Sequence, residues 1–242
     1  MDDARLSLIR ENYLRVCDQI ADATIRSGRV PGTVRLVTVT KSQPVEVIRV
    51  AIAAGAKLLG ENYTDEAVSK MDVINDKEVK WHMIGHVQSR KAEQVARYFD
   101  MVHSVDSDKL AGRLDRSCAL AGRTLPALLE VNVSGEVSKF GLPAWEERMW
   151  PELEPVIKKI MVFPHLNLMG LMTMPPFTDD PEQTRPYFQR MRRLQQYLIN
   201  RVPQVKWAEL SMGTSSDFRA AVEEGATIVR VGRSILGERP VE

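Results

Sequence analysis

The sequence predicts a single (β/α)8 barrel with an extra N-terminal helix. Eight short apolar, β-branched runs recur along it, and a helix-like stretch follows each of the first seven. Its 242 residues show no shift of composition that would mark a linker. Strands alternating with helices imply parallel pairing through right-handed crossovers, which suits an open doubly wound sheet or a closed barrel. Eight units and a length near the roughly 250 residues usual for barrels favour closure. Residues 1–30 are expected to form a helix packed on the barrel, and residues 31–242 the barrel itself, as one domain overall.

The elements follow in order. Leu6, Ile9, Tyr13, Val16 and Ile20 recur at helical spacing and define one apolar face. Ser27-Gly28 and Pro31-Gly32 end that helix, which is expected to cover the bottom of the barrel. The eight strands begin near Val34 (VRLVTVT), Lys57 (KLLGEN), Val79 (VKWHMIGH), Met101 (MVHSVD), Ala127 (ALLEVNV), Leu166 (LNLMGLMTM), Lys206 (KWAELSMG) and Thr227 (TIVRVG). A helix over 44–54 opens with Pro44 at a first-turn position. Another, over 181–200, places Phe188, Met191, Leu194 and Leu198 on one face, while Gly55, Gly122 and Gly225 fall where helices would end.

Composition narrows the function classes. With 33 basic against 32 acidic residues, nothing suggests a nucleic-acid footprint or an anionic membrane partner, which leaves room for a local basic pocket for a small anion. Cys17 and Cys118 form no CxxC pair, which argues against a disulfide scaffold and a cysteine zinc site; both fall on predicted helices and read as packed thiols. The N-terminus lacks an apolar signal region. The stretch 162–177 is short for a membrane span and contains three prolines. A soluble cytoplasmic protein is expected.

Barrel enzymes carry their chemistry at the carboxyl ends of the strands. Those ends here are Lys41; Glu61, Asn62 and Tyr63; the segment from His82 to His86; 104–106; Asn132; 172–174; 211–216; and 230–234. Lys41 closes the first apolar strand. A lysine in a partly dry mouth has a lowered pKa, and its neutral amine can attack an aldehyde to give a Schiff base; the plainer alternative is a solvated loop lysine. The loops after the seventh and eighth strands, SMGTSSD and VGRS, are where barrels bind phosphate on backbone amides, although either alone could be an ordinary helix cap. Arg230 lies inside an apolar run, so it either pairs with a carboxylate such as Glu209 or faces a ligand. His82 and His86 could share one face of the third strand, but no further ligands converge, so they are read as packed or hydrogen-bonded and no metal is expected. Lys139 is either a loop charge or a residue of a mobile lid.

The stretches VTVTKSQP, GENYTDEA, WHMIGHVQSRK, VNVSGEVSKFGL, GLMTM and LSMGTSSDFRAAVEEGATIVRVGRSILG, in this order and spacing, cover nearly the whole chain. In them the sequence resembles the YggS/PROSC family of pyridoxal phosphate homeostasis proteins, relatives of the barrel domain of alanine racemase. The resemblance implies a single barrel binding pyridoxal 5′-phosphate (PLP) as a Schiff base on Lys41. It places Ser211, Gly213, Thr214, Ser215 and Gly232 in the phosphate-binding segments, Arg230 near the cofactor, and Asn62 and His82 on the lining of the mouth. It implies a cofactor carrier or buffer with little or no turnover, with apo PLP-dependent enzymes as recipients, and a monomer is expected. Thr214 stands where the family commonly has methionine, Asp65 where it has glutamine, and Val87 and Arg90 where it has leucine and asparagine. The alternatives are a PLP-dependent amino-acid racemase and a cofactor-free interaction module. The racemase would need a base on each face of the substrate carbon. Alanine racemase takes its second base, a tyrosine, from an additional β-domain for which this chain leaves no residues; Tyr63 is the nearest substitute. The interaction module would leave the paired phosphate loops unexplained.

Overall fold

All eight apolar runs become strands of a closed parallel barrel in the computed structural model, which describes residues 3–238. The strands are β1 (Arg35–Val39), β2 (Leu58–Glu61), β3 (Lys80–Met83), β4 (Met101–Val105), β5 (Leu125–Asn132), β6 (Leu142–Pro143), β7 (Leu166–Met172), β8 (Glu209–Ser211) and β9 (Ile228–Val231). Going round the barrel the order is β1-β2-β3-β4-β5-β7-β8-β9, and β9 pairs back onto β1 with Arg230 opposite Val37. The two-residue β6, which falls within a stretch expected to be loop, adds on beside the end of β5. The seventh and eighth barrel strands are therefore β8 and β9.

The run beginning at Lys206 yields a shorter strand than expected. Trp207 is buried and donates its indole N–H to the Val202 carbonyl, so 206–208 turn to seat that ring before β8 starts.

Helices surround the strands: α1 (Asp3–Arg26), α2 (Val45–Ala53), α3 (Thr64–Ile74), α4 (Ala92–Tyr98), α5 (Asp108–Leu120), α6 (Leu153–Met161), α7 (Arg185–Arg201), α8 (Phe218–Glu223) and α9 (Arg233–Leu236). Phe188, Met191, Leu194 and Leu198 are fully buried, as their spacing predicts. Gly55, Gly122 and Gly225 follow α2, α5 and α8 with positive φ. Pro44 is the residue before the first turn of α2 rather than within it. Cys118 is buried and Cys17 half-buried. Among the described residues, no helix is long and apolar enough to cross a membrane.

The N-terminal helix does not lie under the barrel as expected. It runs down the side against α2, α8 and α9. Asn12, toward the middle of the helix, donates to the Ile235 carbonyl, and Arg26 at its end pairs with Glu223. The cause is the brevity of α9. One turn cannot cover the β9–β1 flank, so Ile9, Val16 and Ile20 of α1 are buried there instead.

Inside the barrel, side chains from successive strands form layers, because alternate residues of a strand point inward. Val37, Met101, Leu128, Met172 and Ile228 make one apolar layer, separate from the core between strands and helices. Two residues further along β4, β5 and β9 come His103, Glu130 and Arg230, all buried. The interior thus changes from apolar to polar toward the carboxyl ends of the strands.

Candidate functional site

Above the polar layer the strand ends open into a cavity of about 970 Å³, within the size range of small-molecule sites. Lys41, Gln43 and Asn62 line it from the loops after β1 and β2. Thr214, Ser215, Ser216, Gly232 and Arg233 line it from the loops after β8 and β9. Glu130 and Arg230 reach it from the barrel interior, and Lys139, Phe140 and Phe177 stand in its outer wall. Because β9 pairs with β1, the lysine-bearing loop and the β9 loop are neighbours.

The two hydroxyl- and glycine-rich loops are stitched together by the side chains of Ser215 and Ser234. Ser215 Oγ accepts the N–H of Gly232 at 3.2 Å and that of Ser234 at 3.3 Å, while Ser234 Oγ donates to the Ser215 carbonyl at 3.2 Å. Asp217 shapes the first loop, accepting the Thr214 N–H at 2.6 Å and the Thr214 hydroxyl at 3.1 Å. The Thr214 amide, carbonyl and hydroxyl are therefore all committed to their own turn. Gly213 has φ +92°, and a Cβ there would lie 2.6 Å from the Cβ of Ala221. Only glycine accepts both the left-handed backbone and that approach.

Beneath these loops runs a buried polar chain. Arg230 donates to Ser211 Oγ at 2.5 Å and to the Thr173 carbonyl at 2.8 Å, and it also contacts the Met174 sulfur. Ser211 Oγ lies 2.9 Å from His103 Nδ1, and His103 Nε2 lies 2.9 Å from His82 Nδ1. Burial, followed by the charge of Arg35, lowers the His82 pKa to about 4. Burial, followed by His82 and Arg230, holds His103 well below its usual value. Both rings are thus neutral at pH 7. With Ser211 donating to His103, and His103 Nε2–H donating to His82, every contact in the chain has a donor and an acceptor. Burial lowers the Arg230 pKa to about 10, with Asp217 and Glu130 pulling it back up, so Arg230 stays charged at neutral pH.

The positions expected from the sequence divide into two sets. Lys41, Asn62, Thr214, Ser215, Arg230 and Gly232 line the cavity. His82, Ser211 and Gly213 are not on its wall. His82 and Ser211 are buried in the hydrogen-bonded chain, and Gly213 braces it by accepting the Arg230 N–H on its carbonyl. Arg230 does not pair with Glu209, which instead binds Arg35 at 2.7 Å. His86 does not share a strand with His82. It lies in the following loop, stacked on Phe140 and 3.2 Å from Asp106. Asn132 shapes the loop after β5, accepting the amides of Ser134 and Gly135. Lys139 lies on that loop and lines the cavity.

Sequence reasoning missed three residues: His103, Glu130 and Lys70. The first two sit in apolar runs (MVHSVD and ALLEVNV), the same signal that drew attention to Arg230. Lys70 gave no such signal, since it lies four residues after Glu66 on a helix and looks like a solvated ion pair.

Comparison with known proteins places this architecture. Residues 22–240 match the family described as alanine racemase, N-terminal domain. A pyridoxal phosphate homeostasis protein of Vibrio alginolyticus is 39% identical over 238 residues, covering 97% of this chain and 99% of that one. The structure of PipY from Synechococcus elongatus PCC7942 with PLP bound superposes with a TM-score of 0.77 at 35% identity, covering 90% of this chain and all of that one. An alanine racemase of Clostridium difficile, 14% identical, shares the fold with a TM-score of 0.71; the match takes 99% of this chain and 61% of the racemase. By sequence over nearly its full length and by its barrel, this chain belongs to the family of pyridoxal phosphate homeostasis proteins.

Proposed function

We propose that the protein holds PLP through a Schiff base at Lys41 and serves in its homeostasis, with little or no catalytic turnover and with apo PLP-dependent enzymes as recipients. The observation that carries this reading is the meeting of an amine, two stitched hydroxyl–glycine loops and a buried guanidinium in one cavity.

The residues present fit the cofactor. When bound, PLP supplies an aldehyde that condenses with an amine and a ring that withdraws electrons. Lys41 is the amine. Residues 214–216 and 232–233 line the cavity, and hydroxyl- and glycine-rich turns at this place suit an anion in other barrels. Two buried acceptors, Gln43 Oε1 and Glu130 Oε2, have no hydrogen-bond partner among the described residues although both side chains belong to the cavity wall. Unsatisfied buried acceptors are costly, and a ligand hydroxyl answers them.

The same residues favour holding over turnover. Arg230 keeps its charge in the cavity floor and disfavours a second positive charge on a ligand ring, which weakens electron withdrawal. Racemisation needs a base on each face of the reacting carbon. Among the described residues Tyr63 is the one cavity tyrosine, and at 61% exposure it is poorly shielded for that task. Release then falls to an incoming amine or water.

The absorbance spectrum of purified protein given PLP tests the linkage. A band at the edge of the visible is expected in the wild type and absent in Lys41→Ala. Incubation with single L-amino acids followed by chiral analysis tests the lack of turnover. D-isomer formed at enzymatic rates would overturn it in favour of a racemase.

A further inference from the structure

A buried ion cluster lies directly behind Lys41, and the cofactor-binding reading above leaves it unused. Lys70 of α3 is 6% exposed and Glu61 of β2 fully buried. The Lys70 ammonium donates to Glu61 Oε1 at 2.7 Å, to Glu66 Oε1 at 2.6 Å and to the backbone carbonyl of Thr40 at 2.7 Å. Its three protons are thereby all assigned. The two carboxylates reach back to the same loop. Glu61 Oε1 accepts the Thr40 hydroxyl at 2.6 Å, and Glu66 Oε1 accepts the Ser42 N–H at 2.6 Å. The cluster thus grips the backbone on both sides of one residue, Lys41.

Two further facts mark this as more than packing. Ser42 has φ +57°, a left-handed conformation uncommon for a residue other than glycine. The chain makes this turn immediately after Lys41, and the Glu66 carboxylate holds the amide that the turn presents. Glu61 Oε2 has no hydrogen-bond partner among the described residues. A buried ion pair with an unsatisfied oxygen is a poor source of stability, whereas it can fix one geometry.

We propose that Lys70, through Glu61, Glu66 and the loop they grip, is a positioning residue that holds Lys41 facing the cavity, an inference that rests on Lys41 being the cofactor-linking amine. Lys70 touches no ligand in this arrangement. It acts by restricting the backbone from which the Lys41 side chain extends, so that the amine does not have to be ordered each time it meets the aldehyde.

Two variants test it. Lys70→Met keeps the stem and removes the ammonium. Glu66→Ala removes the hold on Ser42 at a part-exposed position and leaves the Lys70–Glu61 pair in place, so it keeps the protein folded if Lys70→Met does not. Thermal melting establishes which variants are folded. Borohydride reduction and peptide mapping of the wild type first establish whether PLP is linked to Lys41. In folded variants, PLP loss to a scavenging amine is expected to accelerate, on the order of ten-fold or more for Lys70→Met and a few-fold for Glu66→Ala. The pH profile of the linkage absorbance should shift with it, and the Ser42 amide of the cofactor-free protein should exchange faster. Wild-type protein without an adduct on Lys41 overturns the parent reading and this inference with it. An adduct in the wild type, with folded variants that keep its release rate, pH profile and Ser42 exchange, overturns the positioning role alone.

Discussion

Glu130 stands in the polar interior layer at 7% exposure. Its pKa is raised to about 7, first by burial and then by the Asp106 carboxylate, against the pull of Arg230. A raised carboxyl pKa means that the folded cofactor-free protein keeps a proton that the unfolded chain has already given up. The contribution is present below the unfolded value of about 4.5 and is lost as pH rises toward 7. Glu130→Gln is therefore expected to stabilise the cofactor-free protein at pH 8, by up to about 3 kcal/mol, and to change it little at pH 4. Denaturant unfolding at the two pH values checks this, and equal effects at both would contradict it. The depressed His82 and His103 act in the opposite sense, costing stability as pH falls below their unfolded values, so the variant must be compared with wild type at each pH. At this scale Lys41 and Arg230 were legible in the sequence because each is a charge at or within an apolar strand. Glu130 carried the same mark. Lys70 did not, since its burial arises from β1 and β2 lying beside α3, which spacing along one helix cannot reveal.

The two anion-suited loops work as one element because Ser215 ties them. Ser215→Ala removes the acceptor for two backbone amides, at a cost of about 1–3 kcal/mol for the groups left unpaired. The expected result is a lower melting temperature and roughly ten-fold weaker PLP binding, with an adduct to Lys41 still forming at high PLP. Equilibrium dialysis beside thermal melting checks it; unchanged affinity would show that these loops do not carry the ligand's anion. The same loops show what patterning conveys about elements. SMGTSSD and VGRS were readable as turns ahead of helices because glycine and hydroxyl residues follow apolar strands. The added strand β6 was not, for SGEVSKFGLP looks like loop and pairs only because the end of β5 presents a free edge. Nor was the shortening of β8, since burying Trp207 takes precedence over extending the ladder.

For the whole molecule, eight apolar runs and their spacing were enough to predict a closed barrel, because parallel strands joined by helices leave few other arrangements. The placement of α1 was not predictable from its own amphipathic face, which shows what it buries but not against what. That depended on α9 being only four residues long. The resulting shape gathers residues from the first strand and the last into one cavity, and the proposed function requires that the two ends of the barrel order cooperate on one ligand. The direct test is to load the purified protein with PLP, reduce it with borohydride and map the modified peptide by mass spectrometry. One adduct per chain, on Lys41, is the predicted result. An adduct confined to another lysine such as Lys139, or none at all, would contradict it.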